Sequence, residues 1–195
     1  MALDAIASKI THRLILRKVM MNTQFTQIVR LIVLMLPLFS LLACITNPIP
    51  KGYTGPTATI RDTVLSESDD FPGRPMFYVS KIDGQAIENS EHASQVANHG
   101  KGLSMDPVTA QRNIPVRKMM LTLVGRNVHA APIQEIFHEL SGNNNKATGN
   151  VDFEPQADHF YIVRGLLGPE LSSVWVEDLQ ANTVVTQKIE TKKKK

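Results

Sequence analysis

The chain is expected to fold as a mainly β domain, an antiparallel β-sandwich or partly open barrel with one or two short helices. Three observations predict this. Short runs rich in β-branched and aromatic residues recur, as in Met76 to Ile82, Phe160 to Leu167 and Ser173 to Asp178. Turn-forming residues separate these runs, and Asn150 to Glu154 alternates strictly between apolar and polar. Short strands with frequent turns favour a sandwich or barrel over a βαβ fold.

The elements follow in order. Thr57 to Val64 (TATIRDTV) reads as a strand with Ala58 and Ile60 on one face. Ser66 to Pro75 is an acidic loop; Ser66-Glu67-Ser68-Asp69-Asp70 offers many oxygens but lacks the spacing of a calcium loop. Met76 to Ile82 is the next strand. Asp83-Gly84 suits a two-residue type I′ turn, which needs positive φ at both positions, and Gln85-Ala86-Ile87 returns from it. Ser90 caps a short helix over Glu91 to Asn98, with Gly100 ending it. Residues 100 to 115 carry no regular pattern. Lys118 to Ala130 is a strand with a bulge or bend at Gly125, and Ala131 to Leu140 a helix with Pro132 in its first turn. SGNNNKATG, residues 141 to 149, reads as a polar loop. Asn150 to Glu154 and Phe160 to Leu167 are strands, and Ser173 to Asp178 pairs with Thr183 to Thr186 across a loop of residues 179 to 182.

Upstream of this domain lies Leu31 to Cys44 (LIVLMLPLFSLLAC), an uncharged apolar run that follows Arg30 and ends at the single cysteine. A spanning helix needs about 20 apolar residues; this fourteen-residue run is shorter and contains Pro37. A positive flank, an apolar centre and a small residue before the end are the parts of an export signal. Leu41-Leu42-Ala43-Cys44 resembles the lipobox of bacterial lipoproteins. That resemblance implies cleavage before Cys44 and diacylglycerol on its thiol, with palmitate-type acylation anchoring the protein in a membrane. Ile45, where inner-membrane lipoproteins tend to carry aspartate, implies the outer membrane, facing the periplasm. The layout downstream is similar to small β-sandwich domains of uncharacterised envelope lipoproteins, a likeness that brings no catalytic or binding residues with it.

The domain boundaries follow from this reading. Residues 1 to 20 exceed the ordinary length of a signal and are expected to be a non-native extension, with 21 to 43 as the signal peptide. Residues 44 to 56, rich in proline and glycine, form a lipidated tether. Residues 57 to 190 make a single sandwich domain and 191 to 195 a basic disordered tail.

Charge changes meaning after processing. The chain has 21 Lys+Arg against 18 Asp+Glu, but five basic residues and one acidic residue precede Cys44, which leaves the mature part at −1. Four further positive charges are Lys192 to Lys195, so the domain proper is near −5, a balance that argues against a nucleic-acid partner.

Chemistry is sparse. His92, His99, His129, His138 and His159 remain after processing, without an HxxxH or HExxH spacing, and no thiol, nucleophile elbow or phosphate-cradling loop accompanies them. The expectation is therefore no catalytic, metal or cofactor residues and one modified residue, Cys44. Trp175 faces opposite to Val174 and Val176, so either the indole or the two valines enter the core. Loops, Asn143 to Lys146 and 66 to 75 among them, are the expected contact surfaces. Two functions fit: a lipid-anchored binding or structural module contacting an envelope protein or polysaccharide through loops or a sheet edge, or an envelope hydrolase or metal-dependent enzyme using dispersed His and Asp residues.

Overall fold

Asp62 divides the first expected strand between two sheets. In the computed structural model, which describes residues 45–66, 73–101, 105–129 and 145–192, β1 (Thr57–Arg61) lies in one sheet and β2 (Thr63–Val64) in the other. The remaining elements are β3 (Arg74–Ile82), β4 (Gln85–Ala86), α1 (Ser90–Ala97), β5 (Gln111–Pro115), β6 (Met119–Val128), β7 (Lys146–Phe153), β8 (Phe160–Leu166), β9 (Leu171–Asp178), β10 (Thr183–Val184) and β11 (Ile189–Lys192). Sheet 1 has the order β10-β9-β8-β1-β5, with β11 also on β9; sheet 2 has the order β2-β3-β6-β7, with β4 also on β3. Both sheets are open, so the fold is a two-sheet sandwich and not a closed barrel. Ile45–Lys195 forms one compact unit.

Among the described residues all strand pairs are antiparallel except β1 with β8, which run parallel, so sheet 1 is mixed. The core lies between the sheets. Ala58, Ile60, Phe77, Val79, Leu121, Leu123, Val151, Tyr161, Val163, Val174 and Val176 point inward by strand alternation, and each is nearly or wholly excluded from solvent. Both apolar clusters, with the side chains packed on them, fall between Ala58 and Ile189. The second cluster, Met76, Tyr78, Val124 and Val128, covers the other face of sheet 2 on the side of α1.

Phe77 explains two glycines. A Cβ on Gly125 would lie 2.8 Å from Phe77 Cδ1, and one on Gly165 would strike the same ring and come within 2.5 Å of the Ser173 carbonyl oxygen. The ring is therefore clamped between backbones of opposite sheets. The bulge expected at Gly125 is absent, because Gly125 pairs in register with Phe77 and Ala147; the register shift is in β3, between Val79 and Lys81. Gly165→Ala is expected to cost about 1–3 kcal/mol through overpacking, read as a lower urea midpoint.

Other elements differ from expectation for identifiable reasons. The turn at Asp83-Gly84 has φ of 50° and 79°, as type I′ requires, and joins Ile82 to Gln85. The helix is capped by Asn89, whose side chain accepts the His92 N–H at 3.1 Å, because Ser90 is drawn inward to Asp62. β5 arises within the stretch read as irregular; it is an edge strand ending at Pro115, held by β1 along its whole length. Residues 146 to 149, read as loop, belong to β7: Ala147 is fully buried and pairs with Gly125, so tertiary contact overrides local composition. β11 includes Thr191 and Lys192, paired with Ser172 and Leu171, so the fold runs two residues into the expected tail. The expected tether is laid on the fold, with Thr46 N–H donating to the Ala86 carbonyl at 2.8 Å and Val116 N–H donating to that of Pro56 at 3.0 Å. The expected helix over 131 to 140, most of the 66 to 75 loop, His138 and Cys44 lie outside the described residues.

Candidate functional site

Strand alternation decides the Trp175 question. Val174 and Val176 enter the core, so the indole stands half-buried on the outer face of sheet 1. Arg164 is its cross-strand neighbour on β8, and Glu177 faces Ile162. Trp175 Nε1 donates to Glu177 Oε1 at 2.8 Å and Arg164 Nε donates to Glu177 Oε2 at 3.1 Å, while Lys188 Nζ sits 4.3 Å from the indole centroid. On the same face Arg61 lies over the Phe160 ring at 5.4 Å, and Leu166 and Val184 are exposed. Such cation–π contacts are worth about 0.5–1 kcal/mol each at exposed sites. This is a flat platform of aromatic planes, cations and one carboxylate, suited to stacking and hydrogen bonding.

At one end of sheet 1 a second polar group forms. His159 Nδ1 is 2.6 Å from Asp178 Oδ2, and the His159 ring stacks near Tyr161, whose hydroxyl accepts the Gln156 N–H at 2.8 Å. The other Asp178 oxygen accepts the N–H groups of Gln180 and Ala181 at 2.9 and 3.0 Å, closing the β9–β10 turn. Burial raises the affinity of Asp178 for a proton, but the Ala181 N–H, the His159 ring and the Gln180 N–H together outweigh it and hold the carboxyl below its ordinary value. Burial pushes the Tyr161 phenol up. The stability from Asp178 is thus fully present above the unfolded carboxylate value of about 3.9 and is lost as pH falls through its lower folded value. Asp178→Asn is expected to cost about 1–3 kcal/mol at neutral pH and to flatten the acid side of the stability profile; unfolding followed from pH 7 downward checks both.

Two further charged groups serve the scaffold. Asp62 and Arg112 pair at the sheet corner with side chains 0% and 8% exposed. On the outer face of sheet 2, Tyr78 donates to Glu91, which also lies 3.5 Å from Arg126. Burial, reinforced by Glu91, drives the Tyr78 phenol far above its ordinary value.

Among the described residues, the four histidines are dispersed. His92 contacts Glu88 at 3.0 Å on α1, His99 follows that helix, His129 follows β6 beside Gly73, and His159 meets Asp178. Among the described residues no three His, Cys, Asp or Glu side chains are grouped to hold a metal ion. An open cleft of about 400 Å³ lies along β7, lined by Met120, Asn150, Asp152, Val185 and Gln187 among others. Among the described residues no helix is long and apolar enough to cross a membrane.

Fold and surface together define the class: a two-sheet β-sandwich with an aromatic and charged outer face. Comparison with known proteins finds no matching family model, no matching curated protein and no matching solved structure.

Proposed function

We propose that this is a lipid-anchored cell-envelope protein, acylated at Cys44, whose sandwich is a binding or structural module. The lipobox-like Leu41-Leu42-Ala43-Cys44 carries the reading. Ile45 favours the outer membrane, facing the periplasm. The outer face of sheet 1 around Trp175 supports contact with an envelope protein or polysaccharide, since aromatic planes bordered by charged groups offer stacking area with oriented hydrogen bonds. Fractionated cells test the anchor. The protein is expected in the membrane fraction, resistant to washing in about 1 M salt, where charge attraction is screened within about 3 Å, and released by detergent. Recovery in the soluble fraction contradicts the reading.

A second reading, a hydrolase, draws on the 2.6 Å His159–Asp178 contact, since a carboxylate that orients an imidazole is part of many nucleophilic sites. The same carboxylate is committed to the turn at Gln180 and Ala181, which favours a scaffold role. Hydrolysis of ester or amide substrates that His159→Ala abolishes while the fold persists would establish the enzymatic reading; unchanged background rates would remove it.

A further inference from the structure

Among the described residues β7 pairs with β6 alone, which leaves its other side as a sheet edge. The main-chain groups on that edge follow from β6. Met120 N–H donates to Asp83 Oδ1 at 2.9 Å and its carbonyl accepts the Asp83 N–H at 2.8 Å, while the Thr122 carbonyl accepts the Ser80 hydroxyl at 3.1 Å. Both residues thus turn their main-chain groups toward β3. Their cross-strand neighbours on β7, Asp152 and Asn150, must then point theirs away from β6, and Thr148 and Lys146 do the same by alternation. The side chains of these four are exposed, whereas Ala147, Val151 and Phe153 between them are buried.

Space lies beside this edge. The open cleft of about 400 Å³ runs along Asn150 and Asp152, with Val185, Thr186 and Gln187 also lining it. That segment is held by β9: Val185 N–H donates to the Val176 carbonyl at 2.9 Å, and the Thr186 hydroxyl accepts the Val176 N–H at 3.0 Å. The edge is also complementary to itself. Read antiparallel about Gly149, Lys146 falls opposite Asp152 and Thr148 opposite Asn150, each with the outward main-chain groups that a hydrogen-bonded pair requires. Gly149 then meets its own copy in a non-hydrogen-bonded pair, where Cα atoms approach to about 4.5 Å and no side chain holds the strands apart. Within one chain Lys146 lies opposite another cation, Arg126, and neither Lys146 nor Asp152 has an ion-pair partner among the described residues.

We infer that β7 pairs with β7 of a second copy of this chain, in the antiparallel register centred on Gly149. The pairing makes one continuous sheet from the two copies of sheet 2, through about eight main-chain hydrogen bonds, and seats the other copy's Lys146-to-Thr148 stretch in the cleft beside Asn150 and Asp152. Each copy's Lys146 gains the carboxylate it lacks. The interface does not depend on acylation of Cys44, and it leaves the Trp175 face of sheet 1 open to a different partner. The other edges suit such pairing less, since β2, β4 and β10 have two residues each and β5 ends at Pro115.

The test treats the full chain in detergent with a carbodiimide, which joins an amine to a carboxylate only in direct contact. Lys146 and Asp152 stand about 20 Å apart along one strand, so a bond between them must join two chains. Mass spectrometry of the dimer band is expected to find Lys146 linked to Asp152. Sedimentation equilibrium then compares charge reversals at these two exposed positions. Lys146→Glu and Asp152→Lys each turn two attractive pairs into repulsive ones and are expected to weaken the dimer about tenfold, whereas Lys146→Glu/Asp152→Lys together are expected to return it to within about threefold of the parent. A chain that stays monomeric leaves the edge to some other strand and overturns the inference. So does a dimer linked only through other residues, or a double variant as weak as the single ones.

Discussion

Asp62→Ala is expected to lower the unfolding free energy by about 3–5 kcal/mol, the cost of leaving one partner of a buried ion pair alone. At Asp62 the chain crosses between sheets, and its carboxylate ties four elements together. It accepts the Ser90 N–H at 2.9 Å, the Ser90 hydroxyl at 3.1 Å, the Val79 N–H at 3.3 Å and Arg112 Nη1 at 3.1 Å, with Arg112 Nη2 on the other oxygen. Arg112 Nη1 also reaches the Glu88 carbonyl at 3.0 Å, so β1, β3, β5 and the start of α1 share one charge. Alanine would strand the guanidinium and two backbone donors in a dry corner. Against a typical domain stability of about 5–15 kcal/mol this is a large fraction, and a melting temperature about 10–15 °C lower is expected. Replacing both partners, as Asp62→Leu with Arg112→Met, is expected to recover much of the loss, because the uncompensated charge disappears with the pair. Melting Asp62→Ala within about 2 °C of the parent would contradict this account of the corner.

Cys44→Ala is expected to abolish lipid attachment altogether. Without the thiol no thioether to diacylglycerol can form, and in the proposed pathway cleavage after Ala43 follows that modification. The variant should therefore accumulate at precursor size, without fatty-acid label. A single acyl chain binds membranes only marginally, whereas two or more hold stably, so the change converts firm attachment into the weak association of an uncleaved leader. Radiolabelled palmitate incorporated equally by parent and variant would sink the assignment.

The sequence was most legible where local chemistry agrees with the fold. Asp83-Gly84 specifies its turn because few residues tolerate two successive positive φ values. The runs that became β3, β8 and β9 carry enough branched and aromatic side chains to declare themselves. What stayed hidden depends on partners distant in sequence. β5 and the first half of β7 exist because β1 and β6 offer them a ladder, not because QRNIP or KATG favours strand. Gly125 signals a bulge on local grounds, yet its purpose is room for Phe77, 48 residues away.

The site divides in the same way. The alternation around Trp175 left two outcomes open, and the burial of Val174 and Val176 decided between them. Lys188 over the indole, and Asp178 beneath His159, could not be foreseen, since neither pair has a spacing with meaning of its own. Asp62 offered one faint signal, an acidic residue at an inward-leaning place in Thr57 to Val64, where only a buried partner would be tolerated.

The intact mass of the chain purified from membranes tests the central proposal most directly. A mature polypeptide beginning at Cys44 and heavier than its residues by a diacylglyceryl group, with or without an amide-linked acyl chain, is the predicted result. A chain that retains residues 31 to 43, or one that begins elsewhere with an unmodified thiol, would contradict it.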